Sequence, residues 1–353
     1  MSKGDRIFAM TGKFLLLAAS LTLSAPAFGN MVINLVAGPE LASNTAALDA
    51  FQRAAVTWES LFADPITVTI DANLANLGSS TIIGQTNSTI LGGSYTTVRN
   101  QLVQDASQDL NRILDSSLPT SAEFQATVPA GYTLSGNMAL TKADAKAMGF
   151  QGLDQALGAS DGSITFNDQF AFDYDSGDGV ASNEVDFQSV ATHEIGHLLG
   201  FTSSVDDIDL ALHNQDTTFS IDPTPLDLFR FDAGDVPTTA AAFTSALRDL
   251  VPGSASVLSD TNVQYSLSTG FYNGDGRQAS HWKDDVLTGN YIGIMDPTLA
   301  DGLAETVTAA DVRAMELIGY DPVPEPATWG LAGGALLVLI AWRWRAHRAS
   351  LES

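Results

Sequence analysis

The sequence predicts an α+β fold, and three observations carry that reading. Ala46, Ala47, Leu48, Phe51, Ala54, Ala55, Trp58, Leu61 and Phe62 recur every three or four positions, the spacing of one apolar helix face. Pro65-Ile-Thr-Val-Thr-Ile70 instead alternates, as a half-buried strand does. Helix and strand thus alternate early, helical patterns dominate the later chain, and no internal repeat is present.

The elements follow in order. The first helix starts after Asn44 or Thr45, both good capping residues. A second helix is expected within Thr97–Leu114, and a strand over Ser163-Ile-Thr-Phe166. Thr141-x-x-Asp144 and Thr308-x-x-Asp311 are near-capping boxes that open short helices, the second ended by Gly319. Residues 203–280 are rich in Ser, Thr, Asp and Gly and give only weak signals.

Composition narrows the function. The 353 residues allow one large domain or two ordinary ones, and 45% hydrophobic content is ample for a core. With 30 glycines and 13 prolines, the chain is neither collagenous nor disordered. A net charge of −25 argues against nucleic acid and against an anionic membrane surface. The absence of cysteine excludes disulfides, cysteine-ligated zinc, iron–sulfur clusters and thiol catalysis. Metal chemistry must then rest on carboxylates and five histidines: His193, His197, His213, His281 and His347.

The charge is uneven along the chain. Six of the 16 basic residues and three of the 41 acidic ones lie in the two ends. Asn30 to Pro322 therefore holds 10 basic against 38 acidic side chains, a net of −28. Lys3, Arg6 and Lys13 lead into the apolar run Phe14–Leu23, followed by small residues at Ala25, Ala27 and Gly29. That order reads as a secretory signal peptide over residues 1–29. At the other end, Val323-Pro-Glu-Pro326 precedes the apolar run Ala327–Trp342 and the cluster Arg343, Arg345 and Arg348. Physically this is a membrane segment with its basic tail inside. The order Pro-Glu-Pro, apolar helix, arginine cluster over 323–348 also resembles the PEP-CTERM sorting signal of Gram-negative bacteria. The resemblance implies an exosortase-type membrane protease as partner, a transient anchor, and a final place at the cell surface or outside. A permanent anchor is the alternative.

The chemistry concentrates in Asp186-Phe-Gln-Ser-Val-Ala-Thr-His-Glu-Ile-Gly-His-Leu-Leu-Gly-Phe201. On a helix, His193 and His197 stand about 40° apart, with Glu194 at about 100° from His193. Phe187, Ala191, Ile195, Leu198 and Leu199 fall between about 120° and 240°, on the opposite side. One face is core, and the other presents two imidazoles. Two neutral imidazoles bind zinc, and a neighbouring glutamate takes a proton from the activated water. A shuffled chain of this composition would contain His-Glu-x-x-His roughly once in five hundred trials, so chance is a poor explanation.

A catalytic zinc takes three protein ligands. His193, Glu194, His197 and Gly200 resemble the motif of the metzincin metalloproteases, but Ser203 stands where the contiguous motif has its third histidine. Asp206, Asp207, His213 and His281 are the candidates, and His347 lies beyond the C-terminal apolar run. Ala279-Ser-His-Trp282, followed by Gly293-Ile-Met-Asp-Pro297, resembles the leishmanolysin branch, in which a large insertion precedes the third ligand. The resemblance implies His281 as that ligand, Met295 as the turn methionine beneath the metal, and residues 201–280 as the insertion. It also implies a twisted mixed sheet, an active-site helix and a C-terminal helical subdomain, all within residues 30–322. The helix after Thr308 is similar to the closing helix of bacterial metzincins. The disulfides typical of leishmanolysins cannot exist here.

The expectation is an exported zinc endopeptidase acting on protein or peptide substrates, with Glu194 as general base and His193, His197 and His281 on the metal. In that family an edge strand comparable to Ser163–Phe166 pairs with extended substrate, although a plain structural strand explains those residues as well. Asp173, Asp175 and Asp178 raise the question of calcium, although Gly179 misses the EF-hand spacing by one and a solvated acidic turn is the commoner explanation. The competing class is a non-catalytic surface or matrix adhesion protein that retains the protease fold. A zinc amidase or other hydrolase on a similar motif is a third.

Overall fold

Val68, Ile70, Ala72 and Leu74 are buried while their neighbours are more exposed, which makes Thr67–Ala75 a strand with one face on a core. The computed structural model describes residues 30–106 and 117–323. Within them this strand, β2, joins β1 (Val32–Ala37), β3 (Gly84–Ser88) and β4 (Gly162–Asn167) in a mixed sheet of order β1-β2-β4-β3. The first three strands of that order run parallel, and β3 runs antiparallel to β4 along one edge.

The expected strand over 163–166 is therefore present as β4, but it is interior. The edge beside the motif helix is β3. Its residues, Gly-Gln-Thr-Asn-Ser, include no apolar side chain, so no alternation announces them.

Helix α1 (Thr45–Glu59) lies where its periodicity places it, with the Asn44 side chain accepting the Ala47 N–H at 3.1 Å. Its buried alanines let it approach the motif helix α2 (Phe187–Leu199), and Trp58 Nε1 donates to the Thr192 carbonyl at 2.9 Å. The Asp186 carboxylate caps α2 by accepting the Ser189 N–H at 2.9 Å. Gly200 ends the helix at φ 126°, where a side chain would be strained. The second expected helix runs Tyr95–Ala106, and residues 107–114 of that expectation lie outside the described residues.

Residues 201–280 fold more than their composition suggests. Helix α3 (Val205–His213) is followed by an antiparallel three-stranded sheet of Arg230–Asp232, Ser256–Ser259 and Gln264–Ser266. Two further short strands pair back onto Ala126–Thr127 and Thr133–Leu134. Each strand has two to four residues, too few for a periodicity to show. Val205, Ile208 and Ala211 make a small core with Tyr132, Ile221, Leu250 and Ala279, while Phe229, Phe231 and Phe243 join the main one.

The expected C-terminal helical subdomain is, among the described residues, a helix of four residues and α4 (Ala309–Ile318). Ala314, Met315 and Ile318 of α4 pack into the same large core as α1 and the sheet. Thr308 and Asp311 form the complete capping box, and Gly319 closes the helix. Beyond it the chain is pinned, Ala63 N–H donating to the Asp321 carbonyl and Val323 N–H to that of Leu61. No helix among the described residues is long and apolar enough to cross a membrane. Residues 1–29, and the apolar run of 327–342 with its arginines, lie outside them.

Candidate metal centre

The one-turn spacing of His193 and His197 sets both rings on the same side of α2, and the chain returns 84 positions later to bring in His281. The three Nε2 atoms form a near-equilateral triangle of 3.1, 3.1 and 3.2 Å. Each ring's other nitrogen faces a backbone carbonyl: His193 Nδ1 that of Ile294 at 2.8 Å, His197 Nδ1 that of Phe201 at 2.9 Å, and His281 Nδ1 that of Gln278 at 3.1 Å. A carbonyl only accepts, so each Nδ1 carries the proton and each Nε2 is left with a lone pair.

Three lone pairs aimed at one point repel unless a cation sits between them. Tetrahedral zinc with bonds of about 2.0–2.1 Å sets its nitrogen ligands about 3.3–3.4 Å apart, close to the triangle found. Burial holds His193 down at about 4 and His197 at about 3, His197 also through its neighbour His193, and drives His281 well below the ordinary histidine value. All three are neutral at pH 7, the form that binds metal. The donor set fits zinc.

The protein builds each ring's seat separately. Ile294, which anchors His193, has its own N–H on Asp311 Oδ2 at 2.9 Å. Asp311 also accepts Met295 N–H at 3.3 Å and Trp282 Nε1 at 2.7 Å, so one buried carboxylate gathers the turn, the α4 cap and the neighbour of His281. Met295 lies beneath the motif helix, where a Cβ on Gly196 would run into its sulfur. His281 and Trp282 are held between two segments, with Ser268 N–H on the His281 carbonyl at 3.0 Å and Trp282 N–H on the Met295 carbonyl at 2.9 Å.

The other candidate ligands are elsewhere. His213 is exposed and stacks on Tyr272 at 3.9 Å. Asp207 is exposed and joins no converging group. Asp206 accepts the Ala279 N–H at 2.6 Å and the Ser280 N–H at 3.1 Å, so it holds the backbone just before His281 and lies outside the histidine triangle. Ser203 donates its N–H to Ser280 Oγ at 2.9 Å. The segment after the motif thus grips the segment that brings the third imidazole.

Asp173, Asp175 and Asp178 do not converge; Asp173 spends its oxygens on the Asp175 and Ala181 N–H groups and Asp175 accepts from Gly177. Among the described residues, the second converging group is Asp284, Asp285 and Asp296. Asp284 is paired there with Arg277 at 2.5 Å, and Asp296 accepts the Asp285 N–H at 2.9 Å, which makes the group a staple of its loop.

Glu194 is buried beside the triangle, and burial pushes its carboxyl up to about 7 while a hydrogen bond from Thr86 pulls it back. Thr86 Oγ1 stands 2.6 Å from Glu194 Oε2. Neither Thr86 nor Asp311 is legible as a site residue from the sequence, although the capping box marks Asp311 as structural.

The PEP-CTERM protein-sorting motif matches residues 322–346. That match covers a small part of the chain. It implies export, a surface or extracellular place, and recognition by exosortase-type sorting machinery. No curated protein and no solved structure matches the chain.

Proposed function

We propose that this chain is an exported zinc-dependent endopeptidase of metzincin type, nearest to the leishmanolysin branch. The observation that carries the reading is the convergence of three Nδ1-protonated imidazoles, lone pairs inward, beside one buried glutamate. A zinc ion held by His193, His197 and His281 supplies, when bound, a Lewis acid for the scissile carbonyl and a water of lowered pKa.

The remaining work falls to the chain. Glu194 takes a proton at Oε1, the oxygen that Thr86 does not hold, and returns it to the leaving amine. The β3 edge suits a peptide. The Ile83 carbonyl accepts from Asn167 N–H and Thr89 N–H donates to the Asp161 carbonyl, so odd-numbered positions face β4. Gly84, Thr86 and Ser88 therefore turn their N–H and C=O groups outward, free to receive an extended substrate by strand addition.

The ends fit export: a signal peptide over 1–29, and transient anchoring by 327–342 until an exosortase-type protease of a Gram-negative cell removes the tail. Glu194→Gln tests the reading. We expect one zinc per chain, as in wild type, and cleavage of casein reduced by at least about a hundredfold. Undiminished cleavage refutes the mechanism. A wild type that holds zinc and cleaves nothing would instead make the chain a surface or matrix component with a protease-like site.

A further inference from the structure

The edge strand does more than border the site. Thr86 lies 108 positions before Glu194, and its hydroxyl stands 2.6 Å from Glu194 Oε2 and 2.9 Å from the Glu194 carbonyl. One hydroxyl has one proton, and the carboxylate is the stronger and nearer acceptor. Gly84, two positions earlier and so on the same face of β3, has no side chain to put there. A Cβ on Gly84 would come within 2.6 Å of Glu194 Oε1 and 2.9 Å of its Cγ. The underside of β3 is thus shaped around this one carboxylate, with a donor on one oxygen and cleared space at the other.

We propose that Thr86, with the space left by Gly84, is the positioning residue of the general base. The hydroxyl fixes the rotation of the Glu194 carboxylate and turns Oε1 to the proton it must move. The same residues present their outward peptide groups to an added strand, so the surface that would receive substrate and the seat of the base form one rigid unit. This inference rests on the peptidase reading.

Thr86→Val keeps the shape and strand preference and removes the donor. We expect zinc-loaded Thr86→Val to keep one zinc per chain and a KM within about twofold, with kcat down about 10- to 100-fold. Thr86→Ser should recover kcat to within about threefold of wild type, which a merely structural threonine would not require. Gly84→Ala should lower kcat similarly without loss of zinc.

A second readout needs neither metal nor turnover. In the metal-free protein, Thr86→Val should lower the melting temperature by about 4 °C beside Glu194, and by less than half as much in a Glu194→Ala background. Equal shifts in the two backgrounds overturn the proposal, as does a Thr86→Val kcat within twofold of wild type. A zinc-loaded wild type that cleaves nothing overturns the peptidase reading itself and the role given to the base with it. The metal-free cycle tells those two failures apart.

Discussion

His193 and Ile294 stand 101 positions apart, and the Nδ1–H of the first donates to the carbonyl of the second at 2.8 Å. The ring's tautomer, and so the lone pair it turns toward His197 and His281, is set by a turn on the far side of the sequence. Asp311 holds that turn through Ile294 and Met295 and holds Trp282 through its indole N–H.

Asp311 is therefore expected to be the most sensitive residue that never touches the metal. Asp311→Asn replaces an acceptor oxygen by an NH2 group facing N–H donors and should cost about 2–4 kcal/mol, measured by urea unfolding of the metal-free chain. A loss below about 0.5 kcal/mol would show that the turn holds itself.

Asp206 should affect zinc without binding it. Its carboxylate orders the backbone of Ala279 and Ser280, immediately before His281. Asp206→Ala should weaken zinc by about 10- to 100-fold while the stoichiometry stays at one, as loss of an outer partner does. Competition with a chromophoric chelator measures it, and an unchanged affinity contradicts the assignment.

Stability should depend on pH through Asp64. Burial pushes its carboxyl up to about 8, aided by the charges of Asp321 and Asp105, although the Asp321 N–H pulls the other way. The folded chain keeps this proton where the unfolded chain, near about 4, has released it. The contribution is full below about pH 4 and is lost as pH rises to about 8. Asp64→Asn can still accept the Asp321 N–H and cannot ionise. The melting temperature of the variant should gain steadily on wild type between pH 4 and 8. A difference independent of pH would show that Asp64 ionises normally in the fold.

How much of this was readable in advance depends on element length. Helices α1, α2 and α4 run ten residues or more and carry their apolar faces and caps in plain view. His193, Glu194 and His197 were legible because helix geometry alone puts them on one side. His281 was legible only through resemblance, since no spacing rule spans the short strands of 201–280. Thr86 and Gly84 gave no signal at all. They sit on a polar five-residue edge strand, and their importance comes from what lies beneath it.

Zinc content of wild type, His281→Ala and His213→Ala decides the proposal, because His281 is the proposed ligand that the contiguous motif does not contain. The geometry predicts one zinc per chain in wild type and His213→Ala, and almost none in His281→Ala after equilibrium dialysis. Stoichiometric zinc in His281→Ala, with its loss in His213→Ala, would contradict the site.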